Sequence, residues 1–296
     1  MIRPDFRETS TFPVPDPVMQ ATIQGGDISS TKIENYDLRL EYYPSPGEIL
    51  SISGFYKYID RPVELEHINQ NFTGVRTLKY KNQHSAENLG VEVELRKSFN
   101  FISQSLANLT VFGNAAYIWS EVKTLSRIRN PNWDATDPIK KNNPIEIDII
   151  EDFKRPLIGQ SPYIINAGLS YQSNFVGATA SLNRSGYRSY LMSNSPITTE
   201  FQRARTLVDL QLRLKILKQK AEITLNVANL LNTSDEFYQN LKEWQPRGYP
   251  DPFNKNEKLP PLRIKGTDNY EPENGDRLTY RTTYGRTYNL AFTYTF

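Results

Sequence analysis

The final stretch of the chain, Tyr284-Gly285-Arg286-Thr287-Tyr288-Asn289-Leu290-Ala291-Phe292-Thr293-Tyr294-Thr295-Phe296, alternates with a strict period of two. Its even positions are Tyr284, Arg286, Tyr288, Leu290, Phe292, Tyr294 and Phe296, and the residues between them are Gly, Thr, Asn or Ala. Successive side chains of a strand point to opposite faces, so this segment has one aromatic, apolar face and one small, polar face. At the edge of a water-soluble sheet such a strand would template aggregation. Roughly ten residues is also the length at which a tilted strand crosses a bilayer. The pattern predicts a strand of a membrane barrel.

Composition fits that reading once the period is considered. Mean hydropathy is −0.59, and no apolar run reaches the roughly 18 residues of a membrane helix. Barrel strands escape that test because alternate residues face a polar lumen. The 18 Tyr, 14 Phe and 3 Trp are what aromatic girdles would use. A net charge of +2 gives nucleic acid no basis as a partner. The absence of Cys excludes disulfides and thiolate metal sites. Met1-Ile2-Arg3-Pro4-Asp5 lacks the apolar core of a signal peptide, so the expectation is a chain whose natural N-terminus lies further upstream.

In chain order, alternation predicts strands near 2–8, 35–43, 49–59, 88–98, 106–121, 161–172, 175–187, 204–217, 220–231 and 280–296. The clearest are Tyr36, Leu38, Leu40 and Tyr42 against Asp37, Arg39 and Glu41, and Leu89, Val91, Val93 and Leu95 against Glu92, Glu94 and Arg96. Pro44-Ser45-Pro46-Gly47 is a tight turn. The connections then sort themselves. Short turns alternate with long loops over 60–86 and 123–160, an intermediate segment after 187 and a very long one after 232. Loops this long are uncommon in compact domains unless they function, whereas outer-membrane barrels pair tight periplasmic turns with long extracellular loops. Rows such as Asp37/Arg39/Glu41 and Asp209/Arg213/Lys215 would be costly in a sandwich core but not against a wet lumen. The fold class is all-β, an antiparallel transmembrane β-barrel.

The residues also resemble the C-terminal part of the barrel of TonB-dependent outer-membrane receptors. The matching pieces are Arg3-Pro4-Asp5-Phe6-Arg7-Glu8, Glu34-Asn35-Tyr36-Asp37-Leu38-Arg39-Leu40-Glu41-Tyr42-Tyr43-Pro44 and Ser53-Gly54-Phe55-Tyr56-Lys57. They continue with Leu89-Gly90-Val91-Glu92-Val93-Glu94-Leu95-Arg96-Lys97, Leu225-Asn226-Val227-Ala228-Asn229-Leu230-Leu231-Asn232 and the aromatic-ending last strand. The resemblance implies about ten strands of a larger, 22-stranded type of barrel with a plugged lumen, in a chain without the plug and the first half of the barrel. It implies a receptor in the bacterial outer membrane that takes up a scarce nutrient of the siderophore, vitamin or glycan class. Energy through TonB and displacement of the plug would belong to an intact receptor only.

Among site residues, His67 and His84 lack metal-ligand spacing and read as surface loop residues; no nucleotide loop, nucleophile elbow, catalytic set or cofactor motif is present. Exposed aromatics with a guanidinium suit small-molecule chelates or oligosaccharides, which makes Trp133, Trp244, Arg247 and Tyr249 the expected ligand contacts. Their plainer meaning is packing within the loops or a place in the outer aromatic belt. By the family resemblance, Tyr288, Leu290, Phe292, Tyr294 and Phe296 form the signal read by the barrel-assembly machinery, and they would also face membrane lipid. Two other readings stay open on the residues: a self-contained ten-stranded outer-membrane barrel enzyme, which requires a catalytic His–Asp pair, and a soluble β-rich binding or adhesion protein.

Overall fold

The computed structural model describes residues 3–17, 19, 21–68, 76–150, 155–193, 199–240, 268 and 276–295. One sheet of nine strands carries the alternating segments: β1 (Lys32–Tyr42), β2 (Ile49–Asp60), β3 (Ser85–Ser98), β4 (Leu109–Lys123), β5 (Tyr163–Gln172), β6 (Val176–Ser185), β7 (Arg205–Ile216), β8 (Ala221–Ala228) and β9 (Thr287–Tyr294). Each pairs antiparallel with its neighbours in chain order, and β1 and β9 stand at the two ends of the sheet, which is not closed on itself among the described residues.

Register makes each face continuous. One row runs Tyr42, Leu50, Leu95, Gly113, Ala167, Leu182 and Val208 across seven strands. The row of opposite parity beside it runs Glu41, Ser51, Glu94, Asn114, Asn166 and Asn183. A slip of one residue anywhere would exchange the faces. The apolar face is left open: every residue of β1 and β9 is exposed, with Leu38 at 71% and Leu290 at 74%. An apolar patch of this extent marks a partner or membrane surface.

The short connections all lie at one end. In the β1–β2 turn Gly47 takes φ +80°, a conformation that costs glycine little. Glu48 closes this turn at 4% exposure, accepting from Lys97 Nζ (2.7 Å), Ser98 Oγ (2.7 Å) and Ser98 N (3.2 Å) at the end of β3. Those hydrogen bonds, Lys97 foremost, hold its carboxyl at about 2.

At the opposite end the expected loops 60–86 and 123–160 and the segments after 187 and 232 prove to contain strands. Six short strands from these segments and two from the N-terminal stretch form a second sheet in the order Val14–Asp16, Ala21–Gln24, Thr77–Asn82, Val63–Ile68, Arg188–Ser193, Glu200–Gln202, Asp235–Asn240, Asp276–Thr282, and Leu125–Arg129 pairs with Glu146–Ile150. Six-residue strands give too few alternations to stand out from loop sequence. The buried apolar clusters lie here, around Leu78 and Leu191 and around Met192, Phe201 and Tyr238. The hairpin Val63–Ile68/Thr77–Asn82 leaves the order of the main sheet. Its first strand continues β2, yet pairs in parallel with Arg188–Ser193, the continuation of β6, through Met192↔Glu66 and Ser193↔His67. It therefore reaches past β4 and β5.

Two further expectations are corrected. The strand near 2–8 is instead a helical turn, Phe6–Thr9, because Asp5 and Glu8 form a reciprocal capping box. The stretch 280–296 is two strands, not one. Asp276–Thr282 pairs with Asp235–Asn240 in the apical sheet, and the chain crosses to β9 near Gly285 at φ +77°. No helix among the described residues is long and apolar enough to cross a membrane.

Candidate functional site: a polar wall under an apical cover

The polar face of the main sheet is hydrogen-bonded across strands. Arg39 donates from Nε to Glu41 (2.5 Å) and from Nη2 to Glu94 (2.6 Å), joining β1 to β3. Asn166 donates to Asn114 (2.8 Å) and accepts from Asn183 (2.5 Å), so three asparagines link β4, β5 and β6. Gln211 donates to Asn226 (2.8 Å), Arg213 to Gln172, and the Ser170 and Thr179 hydroxyls lie 2.9 Å apart. The guanidinium of Arg39 is matched by two carboxylates and the ladder of amides is neutral. This face offers a solute hydrogen bonds from amides, hydroxyls and paired charges.

Two aromatic rings lie flat on this face. Phe55 stands opposite Gly90 and Phe112 opposite Gly168. A Cβ on either glycine would sit 2.3 Å from the facing ring's Cζ. Glycine at these positions lets the rings lie against the backbone instead of standing into the space beside it. A recess of about 340 Å³ between Glu94, Arg96, Phe112, Asn114 and Asn166 results on the wall. Another, of about 230 Å³, lies where wall meets cover, among Asn183, Arg188, Gln202, Arg203 and Arg205.

The apical cover is held by ion pairs between segments far apart in sequence. Glu64 binds Arg155 through both carboxylate oxygens with both side chains at 1% exposure or less, and Glu64 also accepts from Ile158 N (3.0 Å). Arg76 binds buried Glu200 (2.9 Å), and Arg203 and Arg281 flank Glu236 at 2.5 and 2.6 Å. No feature of the sequence ties Glu64 to Arg155, since neither spacing nor composition links residues on different loops.

The sequence candidates fall in different places. Trp133 is half-buried at the tip beyond Leu125–Arg129, with the Arg129 guanidinium 4.9 Å above its ring. Trp244, Arg247, Tyr249 and Phe296 lie outside the described residues. Tyr288, Leu290, Phe292 and Tyr294 share the apolar face of β9 opposite Val227, Leu225, Ile223 and Ala221. His67 is in the apical hairpin, where burial first and the Arg76 guanidinium second hold it below the ordinary histidine range. His84 is separate from it, its Nδ1 3.2 Å from Ser85 Oγ. Among the described residues no group of three or more His, Cys, Asp or Glu is placed to hold a metal ion.

Comparison with known proteins follows the same outline. The family model described as TonB dependent receptor-like, beta-barrel matches residues 2–230. Among solved structures, a mutant of the ferric enterobactin receptor PfeA from Pseudomonas aeruginosa in complex with enterobactin is 13% identical with a TM-score of 0.47, covering 93% of this chain and 33% of that one. The siderophore receptor PirA from Acinetobacter baumannii is 14% identical with a TM-score of 0.47, covering 93% and 33%. The copper transporter OprC is 12% identical with a TM-score of 0.49, covering 90% and 31%. The chain thus spans about a third of the length of these structures. No curated protein matches.

Proposed function

This chain belongs to the TonB-dependent receptor-like β-barrel family, a family of receptors and transporters and not of enzymes, and from that premise we propose that it forms part of the wall and extracellular cover of a bacterial outer-membrane importer for a scarce nutrient. The observation that carries the proposal is the division of one nine-stranded sheet into an uncovered apolar face and a hydrogen-bonded polar face. Lipid covers the first. The second lines the passage.

In this reading the apical strands capture the ligand, a siderophore, vitamin or glycan. Trp133, Trp244, Arg247 and Tyr249 supply stacking surface and charge to it. The ligand then passes along the Arg39–Glu94 and Asn114–Asn166–Asn183 rows, whose paired or neutral groups bind weakly enough to release it. Energy from TonB displaces a plug in the intact receptor. The apolar face of β9, continued by Phe296, is read by the barrel-assembly machinery, and outer-membrane lipid then covers the same side chains.

The test is uptake in the source bacterium. Deletion of the gene abolishes accumulation of one nutrient class (ferric siderophores, cobalamin or oligosaccharides), and loss of TonB abolishes the same class. Recovery of the protein in the soluble fraction, or undiminished uptake of all three classes in the deletion strain, contradicts the proposal.

A further inference from the structure

A larger cavity, of about 630 Å³, lies on the apolar side of the sheet where the wall meets the cover. It lies within the size range of small-molecule sites. Tyr56, Leu89, Tyr117 and Trp119 form its floor, with Glu87 and Glu121 at its upper edge. The side on which it opens follows from register. Val91 is opposite Tyr117, Leu89 opposite Trp119 and Glu87 opposite Glu121, all of the same parity as the apolar rows below them. Read up β3, the column is Leu95, Val93, Val91, Leu89, Glu87; up β4 it is Gly113, Ala115, Tyr117, Trp119, Glu121. The chemistry passes from aliphatic to aromatic to carboxylate without a break.

The lining selects the ligand's polar end. Tyr117 and Trp119 meet edge to face, with centroids 4.6 Å apart at 71°, and Trp119 is still 53% exposed. That leaves ring surface available for stacking by the C–H face of a sugar. Glu87, Glu121 and the Gln160 side chain bring acceptor oxygens to the lining, and Asp268, which accepts from Tyr163 and from Tyr187 N and pairs with Arg184, completes the far side. A phosphate fits poorly. The guanidinium groups in and beside this lining, Arg155 and Arg184, are already matched by Glu64 and Asp268. The roof is stiff, since Pro156 and Pro162 bracket Gln160 and Val122 N donates to Arg155 O at 2.9 Å.

We propose that this cavity is a saccharide-binding site, filled by the sugar headgroup of an outer-leaflet glycolipid whose acyl chains lie against Val91, Val93 and Ala115. The assignment rests on the membrane-embedded reading of the wall. Continuity of the cavity with the apolar columns is what favours a lipid-borne sugar over a free one.

The test uses the intact protein extracted from its own outer membranes in mild detergent, with retained lipid counted by native mass spectrometry. Glycolipid co-purifies with the wild type; Trp119→Ala and Glu121→Gln each lower its retention about tenfold, equivalent to about 1.4 kcal/mol. Leu212→Ala, on the same face but at β7, leaves retention unchanged. The delipidated protein is then titrated with a glycosyl diacylglycerol, with a diacylglycerol lacking sugar, and with the free disaccharide. Tightest binding of the glycosyl diacylglycerol supports the assignment. Equal binding of the sugarless lipid overturns the saccharide part, and equal binding of the free disaccharide overturns the lipid part. A protein that is in the outer membrane but retains no glycolipid overturns this inference alone, whereas a protein absent from the outer membrane overturns the transport reading with it.

Discussion

Arg155 closes both ends of its guanidinium on Glu64, 91 residues earlier in the chain, with both side chains at 1% exposure or less. The pair joins the hairpin continuing β2 to the segment that returns to β5, so it fixes an apical element that departs from the order of the wall. Removing one partner of such a pair strands the other charge and costs about 3–5 kcal/mol, while replacing both with apolar residues is often neutral. Glu64→Gln and Arg155→Met are each expected to release the hairpin 63–82, seen as faster amide exchange there with β7 and β8 unchanged. The double variant Glu64→Leu/Arg155→Met recovers most of the protection. Equal exchange in wild type and single variants would show that the pair holds nothing.

Glu48 gives the short-turn end a pH dependence. Its carboxyl, held at about 2 against an ordinary 4.5, favours the folded state wherever it is ionised. The contribution is complete above pH 4.5 and fades as pH falls from 4.5 towards 2. Melting of the wild type between pH 6 and pH 2.5 is expected to show a loss that Glu48→Gln lacks, the variant being weaker at pH 6 and converging on the wild type in acid. A constant difference across that range would contradict the assignment.

Phe55 and Phe112 depend on the glycines beneath them. Gly90→Ala places a methyl group against the Phe55 ring, which must swing away at a cost of about 1 kcal/mol for a distorted side chain. Gly90→Ala is expected to lower resistance to urea, and Phe55→Ala in the same chain to make the alanine harmless. If Gly90→Ala is equally destabilising with and without Phe55, the ring is not the reason for the glycine.

Neighbouring residues of β7 should differ sharply in tolerance. Leu212 sits between Ala178 and Leu225 on the apolar face, and Gln211 on the polar face donates to Asn226. An arginine facing lipid near the bilayer midplane costs about 2–4 kcal/mol. Leu212→Arg is expected to reduce folded protein in the outer membrane severalfold and Gln211→Arg to leave it near wild type. The reverse order would mean that the faces have been exchanged.

The wall was legible in the sequence because membrane strands are long. Eleven residues of β1 and fourteen of β3 repeat the period often enough to fix which side chains share a face. The apical sheet was not legible, because its strands are short, pair across segments far apart in sequence and include parallel contacts between different loops. The N-terminal helical turn was in principle readable: Asp5 and Glu8 stand at capping-box spacing, a local hydrogen-bond pattern that outweighs weak alternation. The cross-strand row of Asn114, Asn166 and Asn183 could be seen only once register was known.

If one face of this sheet meets lipid and the other water, access to the two must alternate along each strand. The chain has no cysteine, so single-cysteine variants at 208 through 215 can each carry a nitroxide, read in native outer membranes for collisions with oxygen and with a water-soluble nickel chelate. A period of two is expected, with 208, 210, 212 and 214 favouring oxygen and 209, 211, 213 and 215 favouring nickel. Uniform access of nickel to all eight positions would contradict it.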